Sequence, residues 1–294
     1  MLEFSYHIIF PLLARMPSWL AYRLLRVPAL VQALVNRSGR RIFVQGYTTI
    51  LPHSSRWQCW CQWICTCLMH NQEILDVYYL PRIHDLSSSP IPISVFGIDA
   101  LHTNRKAGHG TIIAMGHYGR LPLFSTGVAL AGVPVGFVIQ RIDERNEHLN
   151  IAERAYLQKK VDAMCRIAGG RCIMVGDAMT SLYRGLKNGE CIIILFDLPQ
   201  PLEAQITLCR YMEGQLRVPN SIVRIASKTG ANIVYGSVHN QKHGVQVTLR
   251  QLQGTAQQAL HEAVAELEKD VRQSPWQWWQ WPLVPHLWSS KEKD

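Results

Sequence analysis

The sequence predicts an α/β fold in which helices flank a mostly parallel central sheet, preceded by an N-terminal helical region that associates with a membrane. After residue 92, short apolar runs rich in Val and Ile alternate with longer helical patterns. This alternation is typical of buried parallel strands joined by helices. Before residue 86, apolar residues recur at helical spacing, with arginines and tryptophans among them.

Composition limits the classes of partner. The chain has 294 residues, 48% of them apolar, which is enough to bury a sizeable core. Thirty Lys and Arg against 21 Asp and Glu give a formal net charge of +9, which favours an anionic partner. The basic residues are scattered and match no nucleic-acid-binding motif, so we expect no nucleic-acid partner. Nine tryptophans favour a surface that is apolar on one side and wet on the other.

The N-terminal third is predicted to be helical. Residues 10–36 form an amphipathic pattern with Arg15, Arg23 and Arg26 off the apolar stripe, broken near Pro17 and Pro28. Such a helix suits a membrane surface, and it equally suits a core helix with one solvated face, so both interpretations stay open. A second helix is predicted over 55–80.

Cysteines and the Trp-rich end carry less specific signals. The start of the chain has no cleavable export signal, so the eight cysteines are expected to be reduced in the cytoplasm. Four of them form C-x-C-x3-C-x-C, but on a helix only Cys61 and Cys65 share a face, so we predict no metal site. Five tryptophans crowd residues 276–288, where they suit either a bilayer interface or a cap on the core.

A turn-rich segment, 86–92, is the predicted internal boundary. It separates a membrane-associating region, 1–85, from an acyltransferase-like α/β region, 93–288, which we expect to form one continuous structural unit. Residues 121–140 carry no charge over a length that could span a membrane. Prolines and glycines interrupt that stretch, so a short buried helix followed by a strand is favoured.

Strands and helices alternate after the boundary. The predicted strands are 93–101, 110–116, 133–139, 171–176, 190–196 and 232–238. The predicted helices are about 120–132, 146–169, 177–189 and 218–230. Asp177 is the predicted N-cap of the third of these helices, and Gly189 and Gly230 mark the ends of the last two.

Two polar residues follow apolar strands directly, and they are the candidates for chemistry. His117 comes after IIAMG, and Asp197 comes after CIIILF. Ligands of open α/β sheets bind at the carboxyl ends of the strands, which is where both residues lie. An imidazole at that edge is suited to remove a proton from an attacking hydroxyl or amine. A structural histidine at a helix N-terminus is the alternative.

Six segments in order resemble the lipid A late acyltransferase family, within the lysophospholipid acyltransferase-like superfamily. The family pattern places a catalytic histidine after a strand in a frame similar to G-H-F-G-N-W-E, which the GHYGRLP of this chain partly matches. The matching segments are VFGIDALHTNRKAGHGTIIAMGHYG, VIQRIDERN, MCRIAGGRCI, LYRGLKNGECIIILFD, VPNSIVRIASKTGANIV and SPWQWWQWPLVPHLW. The likeness covers nearly the whole chain and is weak before residue 40.

The resemblance implies an acyltransferase in which His117 is the general base. Arg141, Asp197, Asn146 and Arg166 would bind substrate, with Arg141 holding an anionic group. Backbone amides at 116–119 would stabilise the oxyanion. The co-substrate would be an acyl-carrier thioester, with no other cofactor, and the acceptor a hydroxyl or amine of a lipid-like or carrier-bound molecule. Carrier protein and anionic phospholipid would be the partners, at the cytoplasmic face of a bacterial inner membrane.

One departure from the family pattern concerns the acid that pairs with the histidine. The family has Glu or Asp five residues after the histidine, and this chain has Pro122 there. Another carboxylate, such as Asp197 or Asp177, would have to replace it, or the histidine would act alone, or catalysis is lost. Two further functions therefore stay open: an aminoacyl or peptidyl transferase acting on carrier-bound intermediates, and an inactive lipid- or carrier-binding homologue.

Overall fold

The computed structural model of the chain describes residues 5–142, 151–176, 179–199 and 205–290. Within them the backbone forms two sheets. The strands are β1 (Ile93–Phe96), β2 (Thr111–Met115), β3 (Val135–Ile139), β4 (Gly169–Met174), β5 (Cys191–Leu195), β6 (Ile206–Tyr211), β7 (Gly214–Pro219), β8 (Asn232–Asn240), β9 (Val245–Gln251) and β10 (Trp288–Ser290).

The central sheet has seven strands in the order β1-β9-β8-β2-β5-β3-β4. The five strands from β8 to β4 are parallel to one another, whereas β9 is antiparallel to β8 and β1 follows the direction of β9. Strands β10, β7 and β6 form a small antiparallel sheet beside it. The predicted α/β class with a mostly parallel central sheet is therefore confirmed.

Helices cover both faces of this sheet. They are α1 (Phe10–Leu13), α2 (Ser18–Leu24), α3 (Arg26–Val35), α4 (Arg37–Ile50), α5 (Arg56–Tyr79), α6 (Asp99–Lys106), α7 (Leu121–Leu130), α8 (Ile151–Ala168), α9 (Thr180–Lys187), α10 (Ser221–Thr229), α11 (Ala256–Gln273) and α12 (Val284–Leu287). The longest, α5, begins with a capping box in which Ser55 and Gln58 satisfy each other's backbone N–H groups.

Alternate side chains of β2 belong to different halves of the core. Ile112 and Ala114 pack with α10, α11 and the C-terminal tryptophans, whereas Ile113 and Met115 pack with α7 and the first helices of the chain. All five residues of β2 are buried, as expected for a strand covered on both faces. The N-terminal helices contribute to both halves, and the predicted boundary at 86–92 stays a prediction.

Several predicted elements differ from those observed. The strand predicted over 93–101 ends at Phe96, because the chain turns at Gly97 and continues as α6. The break predicted at Pro28 falls three residues earlier, at Leu25, because proline has no N–H to donate to the carbonyl four residues before it. Strands β6, β7, β9 and β10 and helix α11 were not among the predicted elements, and β7 takes the first two residues of the helix predicted over 218–230.

The two ends of the chain pack closely against each other. Helix α4 presents Gly46 to the backbone of the Trp-rich segment, and a Cβ atom at Gly46 would lie 1.8 Å from the carbonyl oxygen of Trp281. The ring of Trp281 makes an edge contact with Tyr47, with ring centroids 4.9 Å apart. Helix α4 of the N-terminal region thus holds the Trp-rich segment in place.

Among the residues described here, none of the helices is both long and apolar enough to cross a bilayer. The uncharged stretch 121–140 forms helix α7 and strand β3, as favoured from its prolines and glycines.

We predict that Gly46→Ala lowers the free energy of unfolding by roughly 1 to 3 kcal/mol, because helix α4 would have to move away from the backbone at Trp281. Gln45→Ala is the matched control, since Gln45 is exposed on the same helix. Denaturant titrations of both variants measure the difference. Equal stability of the two variants would contradict the close approach.

Candidate active site

His117 and Asp197 follow adjacent parallel strands at the same edge of the sheet. Strand β2 ends two residues before His117, and its neighbour β5 ends two residues before Asp197. Because parallel strands present their carboxyl ends together, the two residues meet although they are 80 positions apart in the chain. The site thus forms at the edge where open α/β sheets bind their ligands.

The Asp197 carboxylate holds His117 through both backbone and side chain. Its Oδ1 lies 2.6 Å from Nδ1 of the imidazole, and its oxygens accept the His117 backbone N–H at 3.0 and 2.8 Å. Asp197 is fully buried, whereas the His117 side chain is 20% exposed. A buried carboxylate at this distance favours the tautomer with its proton on Nδ1. Nε2 is then the basic nitrogen.

Two residues of the Trp-rich segment complete this arrangement. The indole Nε1 of Trp278 donates to Oδ2 of Asp197 at 2.8 Å. The amide nitrogen of Gln280 donates to the Asp197 carbonyl at 2.8 Å and lies 2.9 Å from Nδ1 of His117. Trp278 therefore orients the Asp197 carboxylate and Gln280 holds the Asp197 backbone, and together they fix the partner of the imidazole. Neither residue was predicted from the sequence to belong to the site.

A glycine before the histidine leaves room for the carboxylate. A Cβ atom on Gly116 would lie 3.2 Å from Oδ2 of Asp197 and 2.7 Å from a methyl group of Leu267. A larger residue would require the Leu267 side chain and the Asp197 carboxylate to shift. The abrupt end of the apolar run at Gly116 thus has a steric cause.

The Trp-rich segment also pairs with the backbone of the histidine loop, defined as residues 117–120. Trp279 N donates to the His117 carbonyl and Gly119 N donates to the Gln277 carbonyl, both at 2.8 Å. The indole of Trp279 donates to the Gly119 carbonyl at 2.8 Å. The loop is fixed by a short antiparallel bridge rather than by its own sequence.

This pairing corrects the prediction for the oxyanion donors. The amide of His117 donates to Asp197, the amide of Tyr118 donates to the Gly116 carbonyl at 2.8 Å, and the amide of Gly119 donates to Gln277. A donor that already has a short partner is not poised for a developing oxyanion. The backbone amides of 117–119 therefore do not form the predicted oxyanion hole.

Asp197 was predicted to bind substrate, and its surroundings favour another role. Its side chain has no exposed surface, and His117 and Trp278 donate to its two oxygens. We therefore assign Asp197 as the partner of His117. Asp197 supplies the carboxylate that is missing at Pro122. The sequence alone had left open whether Asp197, Asp177 or no acid at all takes that place.

The other predicted site residues lie at different places. Arg141 follows β3, two strands from His117 and hence about 10 Å along the sheet edge, and its guanidinium lies near Gly176 after β4. Arg166 is exposed on α8 and lines a groove of about 360 Å³ between α8 and the end of α5. Asn146 and Asp177 lie outside the described residues. Among the described members of the predicted set, His117 and Asp197 are in direct contact.

A second histidine near the site does not form a catalytic triad. Nε2 of His239 lies 2.9 Å from the Ser237 hydroxyl and 3.6 Å from the Asp270 carboxylate. Both groups approach the same ring nitrogen, so the imidazole cannot relay a proton between them. Ser237 is also buried. Burial raises the pKa of Asp270, to which the Tyr235 hydroxyl donates at 2.7 Å, and these contacts support the fold around the site.

A third histidine stacks behind the histidine loop. The ring of His70, on α5, lies 4.0 Å from the ring of Trp279 between centroids. Burial and the charge of Lys160 lower the pKa of His70 to about 4, so this ring is neutral at pH 7. A neutral ring is suited to stack on the indole that holds the Gly119 carbonyl.

The C-terminal tryptophans cap the core, which is one of the two alternatives that the sequence left open. Trp278 and Trp281 have no exposed surface, and their rings make an edge contact with centroids 4.8 Å apart. Trp276, Trp279 and Trp288 are partly buried. Trp278 and Trp281 therefore belong to the core, whereas contact of the three partly buried tryptophans with a bilayer stays a prediction.

A scan of the chain against protein-family models finds no match, and a search among curated proteins also finds none. The resemblance drawn from the motifs stays a prediction. The contact between His117 and Asp197 is accordingly the main guide to function.

Proposed function

We propose that the protein is an acyltransferase that moves an acyl group from an acyl-carrier thioester to a hydroxyl or amine of a lipid-like or carrier-bound acceptor. The single observation that carries this proposal is the His117–Asp197 pair at the carboxyl edge of the sheet, with Nδ1 and Oδ1 2.6 Å apart. The order of the six family-like segments adds support. Fold alone would not suffice, because α/β sheets host many unrelated activities.

In this mechanism Nε2 of His117 removes the proton from the acceptor hydroxyl or amine as that group attacks the thioester carbonyl. A bond forms between the acceptor and the carbonyl carbon, giving a tetrahedral intermediate. The carbon–sulfur bond then breaks, and the leaving carrier thiolate takes the proton from the imidazolium. Asp197 keeps Nδ1 protonated and stabilises the transient positive charge of the ring.

The contact between Asp197 and His117 bears on whether the acceptor is a hydroxyl or an amine. A histidine without an acid would have favoured an amine acceptor, which needs less help from a base. Because a buried carboxylate does contact Nδ1, a hydroxyl acceptor is equally compatible with the site. The aminoacyl and non-catalytic alternatives become outcomes of the test below.

Side chains of the N-terminal helices support the proposal that the protein acts at an anionic membrane surface. Eleven of the sixteen large apolar side chains that are exposed in the described part of the chain lie between residues 8 and 57, among them Trp19, Val27 and Trp57. The same stretch, 5–57, contains seven arginines and no Asp or Glu. Apolar side chains beside unopposed cations suit anionic phospholipid. We propose that this surface binds the cytoplasmic face of a bacterial inner membrane.

Two substitutions test the catalytic pair. We expect His117→Ala to abolish transfer and Asp197→Asn to lower kcat by about 10³- to 10⁴-fold, since an amide cannot hold the correct tautomer or stabilise the imidazolium. The measurement is mass spectrometry of the products after the full chain is incubated with acyl-loaded or aminoacyl-loaded carrier protein and a membrane extract. His109→Ala is the control, because His109 is exposed on another loop.

The acyl-loaded and aminoacyl-loaded carrier proteins distinguish the alternative functions. Transfer from the aminoacyl-loaded carrier alone would replace the proposal with the aminoacyl transferase. Transfer that persists in His117→Ala would remove this residue from the mechanism, and the absence of transfer with either donor would favour a binding protein.

Vesicle binding tests whether the N-terminal surface of the protein binds a membrane. We expect the protein to sediment with vesicles containing phosphatidylglycerol and much less with pure phosphatidylcholine, because the arginines need anionic headgroups. Trp19→Ser with Val27→Ser should weaken binding roughly tenfold or more, since two apolar side chains no longer enter the lipid. The matched control is Phe96→Ser with Leu208→Ser, which removes exposed apolar side chains elsewhere. Equal loss in both double variants would count against the N-terminal surface.

A further inference from the structure

Helix α5 brings two buried carboxylates beneath the histidine loop. Glu73 and Asp76 lie one turn apart near the end of the helix, and both are almost completely buried. They contact the residues that follow His117, although about 45 positions of the chain separate the two segments. Buried acids are costly unless they are paired, so their partners indicate what they do.

Glu73 binds the start of helix α7. Its Oε2 accepts the backbone N–H of Leu121 at 3.1 Å, and its Oε1 lies 2.5 Å from Nζ of Lys160 on α8. The first N–H groups of a helix have no partner within the helix, and a carboxylate there is favoured by the helix dipole. The residue before the helix, Arg120, supplies no side-chain cap of its own. An acid from the N-terminal region therefore caps the helix that begins directly after the loop.

Asp76 binds the last residue of the loop. Its Oδ1 accepts from Nη1 of Arg120 at 3.3 Å and from the Tyr22 hydroxyl at 2.5 Å. The Arg120 guanidinium also lies over the ring of Tyr22, 5.3 Å from its centroid. Burial raises the pKa of Asp76 to about 6, against the opposing effects of Arg120 and Tyr22. Arg120 is buried as well, and the pair compensates the two ions only in part, because Oδ2 of Asp76 and Nε of Arg120 are buried without a hydrogen-bond partner.

We propose that Glu73 and Asp76 are positioning residues, which hold the histidine loop from below so that the imidazole of His117 stays against Asp197. Neither acid contacts His117. They act through Arg120 and the Leu121 amide, while the Trp-rich segment holds the same loop through the backbone of His117 and Gly119. The effect on acyl transfer rests on the proposed function, whereas the effect on the imidazole does not.

The test uses the full chain with ¹⁵N-labelled histidine and follows the Nδ1 proton resonance of His117, assigned by its absence from His117→Ala. We expect Glu73→Leu to broaden or remove that resonance, because the Leu121 N–H loses its acceptor. Glu73→Gln should restore it, because the amide oxygen still accepts that N–H. The matched control is Glu268→Leu, since Glu268 likewise accepts a backbone N–H, from Met212, and binds a cation, Arg272.

Transfer kinetics give the second readout. In Glu73→Leu we expect kcat to fall roughly 100-fold with KM within about twofold, because the base is displaced while substrate contacts are kept. A wild-type protein that transfers no acyl group would refute the proposed function, and the resonance would still decide the positioning role.

Three results would overturn the positioning role: a resonance that persists in Glu73→Leu, an equal loss in Glu268→Leu, or no restoration in Glu73→Gln. A second variant covers the event that Glu73→Leu does not fold. Asp76→Leu with Arg120→Leu replaces the buried pair by apolar side chains, which folds commonly tolerate. It should also broaden the resonance, and a sharp wild-type signal in that variant would equally refute the role.

Discussion

The hydrogen bond between Nδ1 of His117 and the buried carboxylate of Asp197 is the interaction on which the rest of the site depends. An isolated carboxylate with no exposed surface would be strongly disfavoured. Here the backbone N–H of His117, its imidazole and the indole of Trp278 satisfy it together. The same contacts occupy Nδ1, while the His117 side chain remains 20% exposed. The contacts that satisfy the buried carboxylate of Asp197 therefore also orient the imidazole of His117.

That constraint is maintained by both ends of the chain. The Trp-rich segment bridges the backbone of the histidine loop, and Gly46 of α4 lets the backbone at Trp281 approach closely. Helix α5 adds charged contacts beneath the loop through Glu73 and Asp76. The N-terminal helices thus contribute to the site as well as to the apolar, cationic surface proposed to meet the membrane. Tyr22 of α2 donates a hydrogen bond to Asp76, the acid that binds the last residue of the loop.

Sequence patterns predicted the parts of the fold that depend on local periodicity. The buried strands β2, β3, β5 and β8 and the long helix α5 are apolar runs or stripes that tertiary contacts reinforce. His117 and Asp197 were predicted to lie at one edge because each ends such a run. Their direct contact stayed one possibility among several, since the order of strands in a sheet cannot be derived from periodicity.

The roles of Trp278, Gln280, Glu73 and Asp76 could not be predicted for the same reason. Each acts across more than 40 positions of the chain, and each resembles an ordinary core or helix residue in its local context. The excess of tryptophan near the C-terminus was a signal, but it did not show that the indoles of Trp278 and Trp279 donate hydrogen bonds to Asp197 and Gly119. Sequence alone gives no means of distinguishing an inward from an outward indole.

Neutron diffraction from crystals of the full chain, grown at neutral pH and exchanged into D₂O, would locate the proton between His117 and Asp197. We expect deuterium on Nδ1 of His117, directed at Oδ1 of Asp197, with Nε2 facing solvent. A bare Nδ1 that accepts from the Gln280 amide, or an Asp197 carboxylate turned away from the ring, would contradict it.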